Sequence, residues 1–214
     1  MDFVSVTLKL LEGFLTTCEI FFMTLVSALP LGLLVVFGSI SKFRPLKILV
    51  RGIVWIIRGT PLMLQVIIIY YVPGLVFDIP LLPRLIAVYI AFTINYACYF
   101  SEIYRSGIES ISKGQYEAGQ VLGMTKFQVF VKVIFMQVIK IIIPPMSNEI
   151  ITLVKDTSLA RVILVAEILK YAEEFTAYGL IWPLFYSGIF YLLFVGVLTI
   201  IFGKIEKKLS YYRV

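Results

Sequence analysis

The chain contains no histidine and only two cysteines among its 214 residues. The absence of histidine excludes a serine–histidine catalytic dyad and a zinc site of the His-Glu-x-x-His type. Cys18 and Cys98 lie within apolar runs, which favours small buried hydrophobic side chains over a disulfide or a metal site. The sequence also lacks a Gly-x-x-x-x-Gly-Lys-Ser/Thr motif, so we expect no phosphate-binding loop and no cofactor in this chain.

Charge is also scarce, since 15% of the residues are charged and 60% are hydrophobic. A soluble domain of this length needs a polar surface that this composition cannot supply. The chain is therefore predicted to cross a lipid bilayer several times. The formal net charge is +6, but the cations lie at the ends of apolar runs, so they indicate membrane topology and no nucleic-acid partner.

Long apolar runs predict five transmembrane helices of about 20 residues each. One region is harder to place, because 127–166 is too long for one span and too short for two. Its first part carries Gln128, Lys132 and Lys140 in a polar stripe, which is typical of a helix at the membrane surface or against a partner. Pro144-Pro145 is expected to break or bend the chain. The predicted spans are 14–40, 52–73, 84–104, 145–166 and 183–203.

The charges of the connecting segments predict the orientation of the chain. The segments 41–51 and 105–126 and the C-terminal tail are basic, whereas 74–83 and 167–182 are acidic. These signs alternate as five spans require. We therefore expect an external N-terminus, a cytoplasmic C-terminus and a single membrane domain over residues 1–214.

The segment 112–126 is polar and glycine-bearing, and it lies between two long apolar runs. A helix is predicted from Gln115 to Met124, with the Glu117 carboxylate near its start, where it suits the helix dipole. Ala118 and Gly119 present almost no side chain, so this helix is able to lie close against another protein surface. The residues alone leave two interpretations open, a docking helix and a solvated loop.

The run Glu117-Ala118-Gly119, followed by Gly123, resembles the EAA motif of the membrane-spanning subunits of ABC importers. In that family the motif forms a coupling helix that fits a groove on the ATPase subunit. Two positions depart from the family pattern: Gly119 replaces the second alanine, and Met136 stands where the family has a proline. The resemblance implies that the coupling residues are Tyr116, Glu117, Ala118, Gly119, Leu122 and Gly123.

Four further stretches are similar to one branch of that family, the permeases for polar amino acids. They are 58–61 (RGTP), 99–107 (YFSEIYRSG), 113–117 (KGQYE) and 155–159 (KDTSL). The resemblance implies an all-α permease of the type I importer fold in a bacterial cell membrane. It also implies four kinds of partner: an ATPase pair that binds ATP and Mg, a second identical or homologous permease, an external solute-binding protein and the amino acid itself.

Polar groups at membrane depth are costly, so they line a path or pair with one another. Lys155, Asp156, Thr157 and Ser158 lie near the middle of the fourth predicted span. Two interpretations stay open: the stretch lines the path and contacts a zwitterion, or Asp156 pairs with a cation on another span, such as Arg58. A local opening of the helix here would expose backbone groups as well.

Glu149 shares a helix face with Asp156 and suits the ammonium group of an amino acid, although an interfacial position is equally open. On the third span Asn95 and Tyr99 lie on one stripe, and Asn95 is the better candidate for the path.

On the second span Thr60 and Gln65 are further path candidates. The remaining expectations are an ion pair between Glu102 and Arg105 and packing roles for Phe92 and Tyr96.

Two other classes compete with the importer. A membrane aspartyl protease needs two facing carboxylic acids, and Asp156 is the only aspartate in a predicted span, with Glu149 left open as its partner. An ion-gradient-driven transporter or channel fits the intramembrane charges but does not explain a docking helix.

The family allows several amino acids, including glutamine, glutamate, arginine, histidine, lysine and cystine, and the carboxylates favour a cationic one. We expect no catalytic residue and no metal site.

Overall fold

A computed structural model describes residues 2–210, which form helices and no strand. The all-α fold class is therefore confirmed. The elements are α1 (Phe3–Ser39), α2 (Arg44–Gly59), α3 (Leu62–Phe77), α4 (Arg84–Glu109), α5 (Lys113–Val121), α6 (Lys126–Val129), a π-helical turn (Phe130–Ile134), α7 (Phe135–Asp156), a 3-10 helix (Thr157–Ile163), α8 (Ile168–Thr176) and α9 (Trp182–Leu209).

The first helix begins at Phe3 and therefore extends well before residue 14, where the first span is predicted to start. Val6 and Leu10 are fully buried against Ile168 of α8, and this packing extends the helix beyond the apolar run. In the C-terminal part of α1, an added Cβ at Gly32 would lie 3.1 Å from the Ala97 carbonyl oxygen of α4. The absence of a side chain at Gly32 therefore lets α1 and α4 pack closely.

The second predicted span, 52–73, is not one helix. Helices α2 and α3 meet at Thr60-Pro61 with a bend of 104°. Proline lacks an N–H group and disfavours helical geometry in the residue before it, and Thr60 is accordingly extended, with φ −114° and ψ 145°. The buried Gln65 amide donates to the Ile57 carbonyl at 2.8 Å and to the Thr60 carbonyl at 3.2 Å, so it satisfies the exposed end of α2.

The second proline pair, Pro144-Pro145, does not break its helix, so the break that the sequence predicted as one of two outcomes is wrong. A continuous helical rod runs from Lys126 to Ile163 and contains Pro144 and Pro145. Proline is tolerated in membrane helices where side chains and neighbouring helices satisfy the freed backbone groups. The region 127–143 is accordingly the first part of this one continuous rod and not a separate helix. The rod changes from α to 3-10 geometry at Thr157, and Leu164 ends it in the left-handed conformation, with φ 62°.

A fully buried carboxylate begins α8. Glu167 accepts hydrogen bonds from the Leu169 N–H at 2.8 Å and the Lys170 N–H at 2.7 Å, and the Tyr191 hydroxyl of α9 donates to it at 3.2 Å. Burial raises the pKa of the Glu167 carboxyl, although these hydrogen bonds oppose the rise. This one side chain therefore caps α8 and connects it to α9.

Four helices of the described residues are long and apolar enough to cross a membrane, and the bent α2–α3 pair provides a fifth segment. The last helix, α9, packs on α7, where the Ser147 hydroxyl donates to Glu206 at 3.0 Å. Phe185, Leu192 and Leu193 of α9 are among its exposed apolar side chains, as expected for a surface that faces lipid or a partner subunit.

Candidate translocation cavity and coupling segment

A cavity of about 550 Å³ opens where the α2–α3 break faces α4 and α7. The break supplies Thr60, α4 supplies Asn95 and Tyr99, and α7 supplies Glu149 and Asp156. These five residues are sequence-predicted path candidates, and the fold brings them together from three helices. Thr152 lies in the same wall, as the shared face of Glu149 and Asp156 predicts.

Gln65, another path candidate, lies behind the cavity wall. Its amide nitrogen donates to the Thr60 hydroxyl at 2.9 Å, and its amide oxygen accepts from Asn95 at 3.0 Å. Gln65 and Asn95 are both buried. Gln65 therefore fixes the positions of two cavity side chains through hydrogen bonds across the helix break.

Three further predicted path residues do not line the cavity. Lys155 is exposed on another face of the rod. Thr157 is buried and donates to the Val154 carbonyl at 2.7 Å, while Ser158 donates to the Lys155 carbonyl at 2.8 Å. Consecutive helical residues point about 100° apart, so a charged run of this kind contributes only part of its side chains to one wall.

Asp156 accepts a hydrogen bond of 2.7 Å from the Tyr96 hydroxyl. Of the two interpretations left open for Asp156, the ion pair with Arg58 is not formed, because Arg58 pairs with Glu102 instead. Tyr96 lines the cavity, so the expectation of a packing role alone missed it. The hydroxyl of Tyr96 is the feature of the sequence that indicates a polar role, because a buried tyrosine O–H needs a hydrogen-bond partner.

Arg58 lines the same cavity but is directed toward α4. One of its terminal nitrogens lies 3.5 Å from a Glu102 carboxylate oxygen, and its guanidinium lies 5.0 Å from the centre of the Tyr99 ring. The predicted Glu102–Arg105 ion pair is confirmed at 2.6 Å. The cavity thus presents two carboxylates and one guanidinium, which suits a ligand that carries charges of both signs.

The segment 112–126, called here the candidate coupling segment, contains α5, which covers Lys113–Val121. Helix in this segment is confirmed, but the predicted range of Gln115 to Met124 is displaced. Glu117 lies in the middle of α5 and not near its start, so the expected interaction with the N-terminal dipole is wrong. Tyr116, Glu117 and Ala118 are all exposed.

Gly119 does not face outward. An added Cβ there would lie 2.5 Å from Val129 Cγ2, so the bare surface of Gly119 packs against the chain itself. Large apolar side chains are exposed at the end of α5 and in the helix that follows: Val121 is 88% exposed, Leu122 is 77% exposed and Phe127 is 75% exposed. Sequence reasoning named Leu122 and missed Val121 and Phe127.

Gly123 ends the coupling helix in the left-handed conformation, with φ 72°. The next helix begins immediately, and its N-cap is Thr125 in a capping box with Gln128. The turn connects α5 directly to the rod that carries Glu149 and Asp156.

Residues 28–210 match the family described as the binding-protein-dependent transport system inner membrane component. The L-cystine transport system permease TcyB of Bacillus subtilis (strain 168) is 39% identical, over 94% of this chain and 86% of that protein. The arginine transport system permease ArtQ of the same bacterium is 35% identical, over 94% of this chain and 92% of that protein.

The fold matches a crystal structure of an amino acid ABC transporter with histidines, with a TM-score of 0.88 and 28% identity over 97% of this chain and 99% of that one. An inward-facing structure of the MetNI methionine ABC transporter has a TM-score of 0.74 at 17% identity, which supports the fold alone. The chain therefore belongs to the family of binding-protein-dependent transport system inner membrane components, and its resemblance to the permeases of amino-acid ABC importers is confirmed.

Proposed function

We propose that this chain forms the translocation path for a polar amino acid in an ATP-driven importer, and that the segment 112–126 couples it to a separate ATPase. One observation carries this proposal. The rod Lys126–Ile163 begins at the coupling segment and carries the cavity carboxylates Glu149 and Asp156. A displacement of α5 therefore reaches the cavity wall through only the short turn at 122–125 and the helical rod itself.

The cavity chemistry supports a zwitterionic or cationic amino acid. Glu149 and Asp156 offer carboxylates to an ammonium or guanidinium group, while Asn95, Thr60 and Thr152 offer neutral hydrogen-bonding groups. The names of TcyB and ArtQ specify cystine and arginine for those relatives. We propose a cationic amino acid or cystine as the first substrates to test.

The exposed apolar side chains of Val121, Leu122 and Phe127 support docking of the coupling segment on a partner. We propose that the partner is a dimer of ATPase subunits, which bind ATP and Mg. Further proposed partners are a second permease subunit, identical or homologous, and an external solute-binding protein.

The basic segments are proposed to be cytoplasmic, which places the N-terminus outside and the C-terminus inside a bacterial cell membrane.

Reconstitution of the purified chain in liposomes, with and without its ATPase, tests this proposal. We expect uptake of a radiolabelled amino acid only when the ATPase, ATP and the solute-binding protein are all present. Uptake by the chain alone under a proton or sodium gradient would instead support the rival class of secondary transporters and channels.

A further inference from the structure

Five charged side chains form a continuous ladder between α2 and α4. Arg51 lies 3.3 Å from Glu109, and Arg105 lies 2.5 Å from Glu109 and 2.6 Å from Glu102. Arg58 completes the ladder at 3.5 Å from Glu102. Since the ladder holds three arginines and two glutamates, it carries one surplus positive charge.

The surplus charge is best assigned to Arg58, because the other members are more tightly paired. Arg105 donates to both oxygens of Glu102, at 3.0 Å from Nε and 2.6 Å from Nη2. Glu102 is therefore already satisfied in a bidentate pair, which is the stronger geometry for this interaction. Arg51 and Arg58 have similar exposure and similarly long ion pairs, at 3.3 Å and 3.5 Å, but Arg51 also donates to the Ser39 carbonyl at 3.1 Å.

Arg58 also lies between two neighbouring cavities. It lines the 550 Å³ cavity, and it lines a second cavity of about 330 Å³ that continues along α4 to Ser106 and Gly107 and along α7 to Pro145. Because Glu109 ends α4 on the proposed cytoplasmic side, the second cavity lies closer to the cytoplasm. A ligand that moves from one cavity to the other passes the Arg58 guanidinium.

We infer that Arg58 receives the carboxylate of the translocating amino acid and selects for ligands that carry one. A guanidinium binds a carboxylate in a planar two-point geometry, and its five N–H donors exceed the needs of one long pair to Glu102. Glu149 and Asp156 then face the cationic part of the ligand. The inference deepens the proposed function and rests on it.

The test compares an amino acid with its amide, which keeps the ammonium group and the side chain but lacks the carboxylate. The probe pairs are L-arginine with L-argininamide and L-cystine with L-cystine diamide. Binding is measured by scintillation proximity on the permease–ATPase complex in lipid nanodiscs, without the solute-binding protein, which would impose its own selection. We expect wild type to bind the amino acid at least about tenfold more tightly than the amide, as expected for the loss of one charge-assisted pair.

Arg58→Gln is expected to reduce this ratio to near one, and Arg58→Lys to retain part of it. Arg51→Gln is the matched control, because Arg51 belongs to the same ladder but does not line the 550 Å³ cavity, and it should leave the ratio unchanged. Size-exclusion profiles establish that each complex is intact. An unchanged ratio in Arg58→Gln, or an equal loss in Arg51→Gln, overturns the inference. If wild type binds none of the amino acids, the proposed function fails first.

Discussion

The hydrogen bond between Tyr96 and Asp156 fixes a carboxylate in the cavity wall at 2.7 Å from a hydroxyl of another helix. The presence of polar residues within apolar runs predicts a shared path for several side chains. Five of them line one cavity: Thr60, Asn95, Tyr99, Glu149 and Asp156. Tyr96 escaped prediction, because an aromatic residue on a membrane helix packs more often than it binds. Its role depends on α7 being opposite α4, and no local pattern encodes that arrangement.

Asp156→Asn replaces the carboxylate with a neutral group that still accepts the Tyr96 hydrogen bond. We expect ATP-driven uptake of a cationic amino acid to fall about tenfold, because one charge-assisted interaction is lost. The thermal midpoint of the purified protein should change little. Tyr96→Phe is the control, since it removes the hydroxyl and keeps the negative charge. A large drop in stability with unchanged substrate affinity would assign Asp156 a purely structural role.

At the scale of secondary-structure elements, the two proline sites give opposite outcomes from a similar local signal. Thr60-Pro61 ends α2, and the buried Gln65 side chain satisfies the carbonyls left at the break. Pro144-Pro145 stays inside the rod, which packs against α4 and α9. Tertiary partners decide between a break and a tolerated proline, so the local sequence does not distinguish the two outcomes.

The contact between Gly119 and Val129 holds the coupling helix on the base of the rod. Gly119→Leu should overpack this contact and destabilise it by about 1–3 kcal/mol. The measurement is the thermal midpoint together with recovery of the ATPase on affinity purification. Val129→Ala in the same chain should restore both in part, because it removes the two methyl carbons nearest the new side chain. Full assembly of the single variant would show that the helix packs elsewhere.

Glu117 is exposed on the outer side of the same helix. Glu117→Lys should reverse the charge presented to the ATPase and uncouple ATP hydrolysis from uptake, so that hydrolysis continues while uptake falls. Insertion of the protein in the membrane should stay normal. Uptake and phosphate release are measured in the same proteoliposomes. Lys113→Glu provides a charge-reversal control at the first residue of the helix. Unchanged transport by Glu117→Lys would contradict a docking role for this face.

For the whole molecule, hydropathy predicted the number of membrane segments, and the broken α2–α3 pair supplies the second of the five. The helical class and the family follow from the apolar runs and the motifs. The cavity does not follow from them, because it exists only where three helices and one break meet. Helix ends were misplaced where packing extended a helix beyond its apolar run, as at Val6 and Leu10.

The orientation is tested by single cysteines in a variant that lacks Cys18 and Cys98. A cysteine at Leu122 should react with a membrane-impermeant maleimide only in inverted vesicles, because the basic segments are predicted to be cytoplasmic. A cysteine at the exposed Tyr178 should react only in intact cells. The reverse pattern would invert the topology and remove the coupling segment from the ATPase side.

The central claim is that the segment 112–126 engages a separate ATPase and transmits its movement to the cavity. The most direct measurement places a photoreactive phenylalanine at Leu122 in the reconstituted, transporting complex, with the same group at the exposed Leu75 as control. The account predicts an adduct of permease and ATPase from position 122 and none from position 75. Uptake that proceeds without an adduct from position 122 would contradict it.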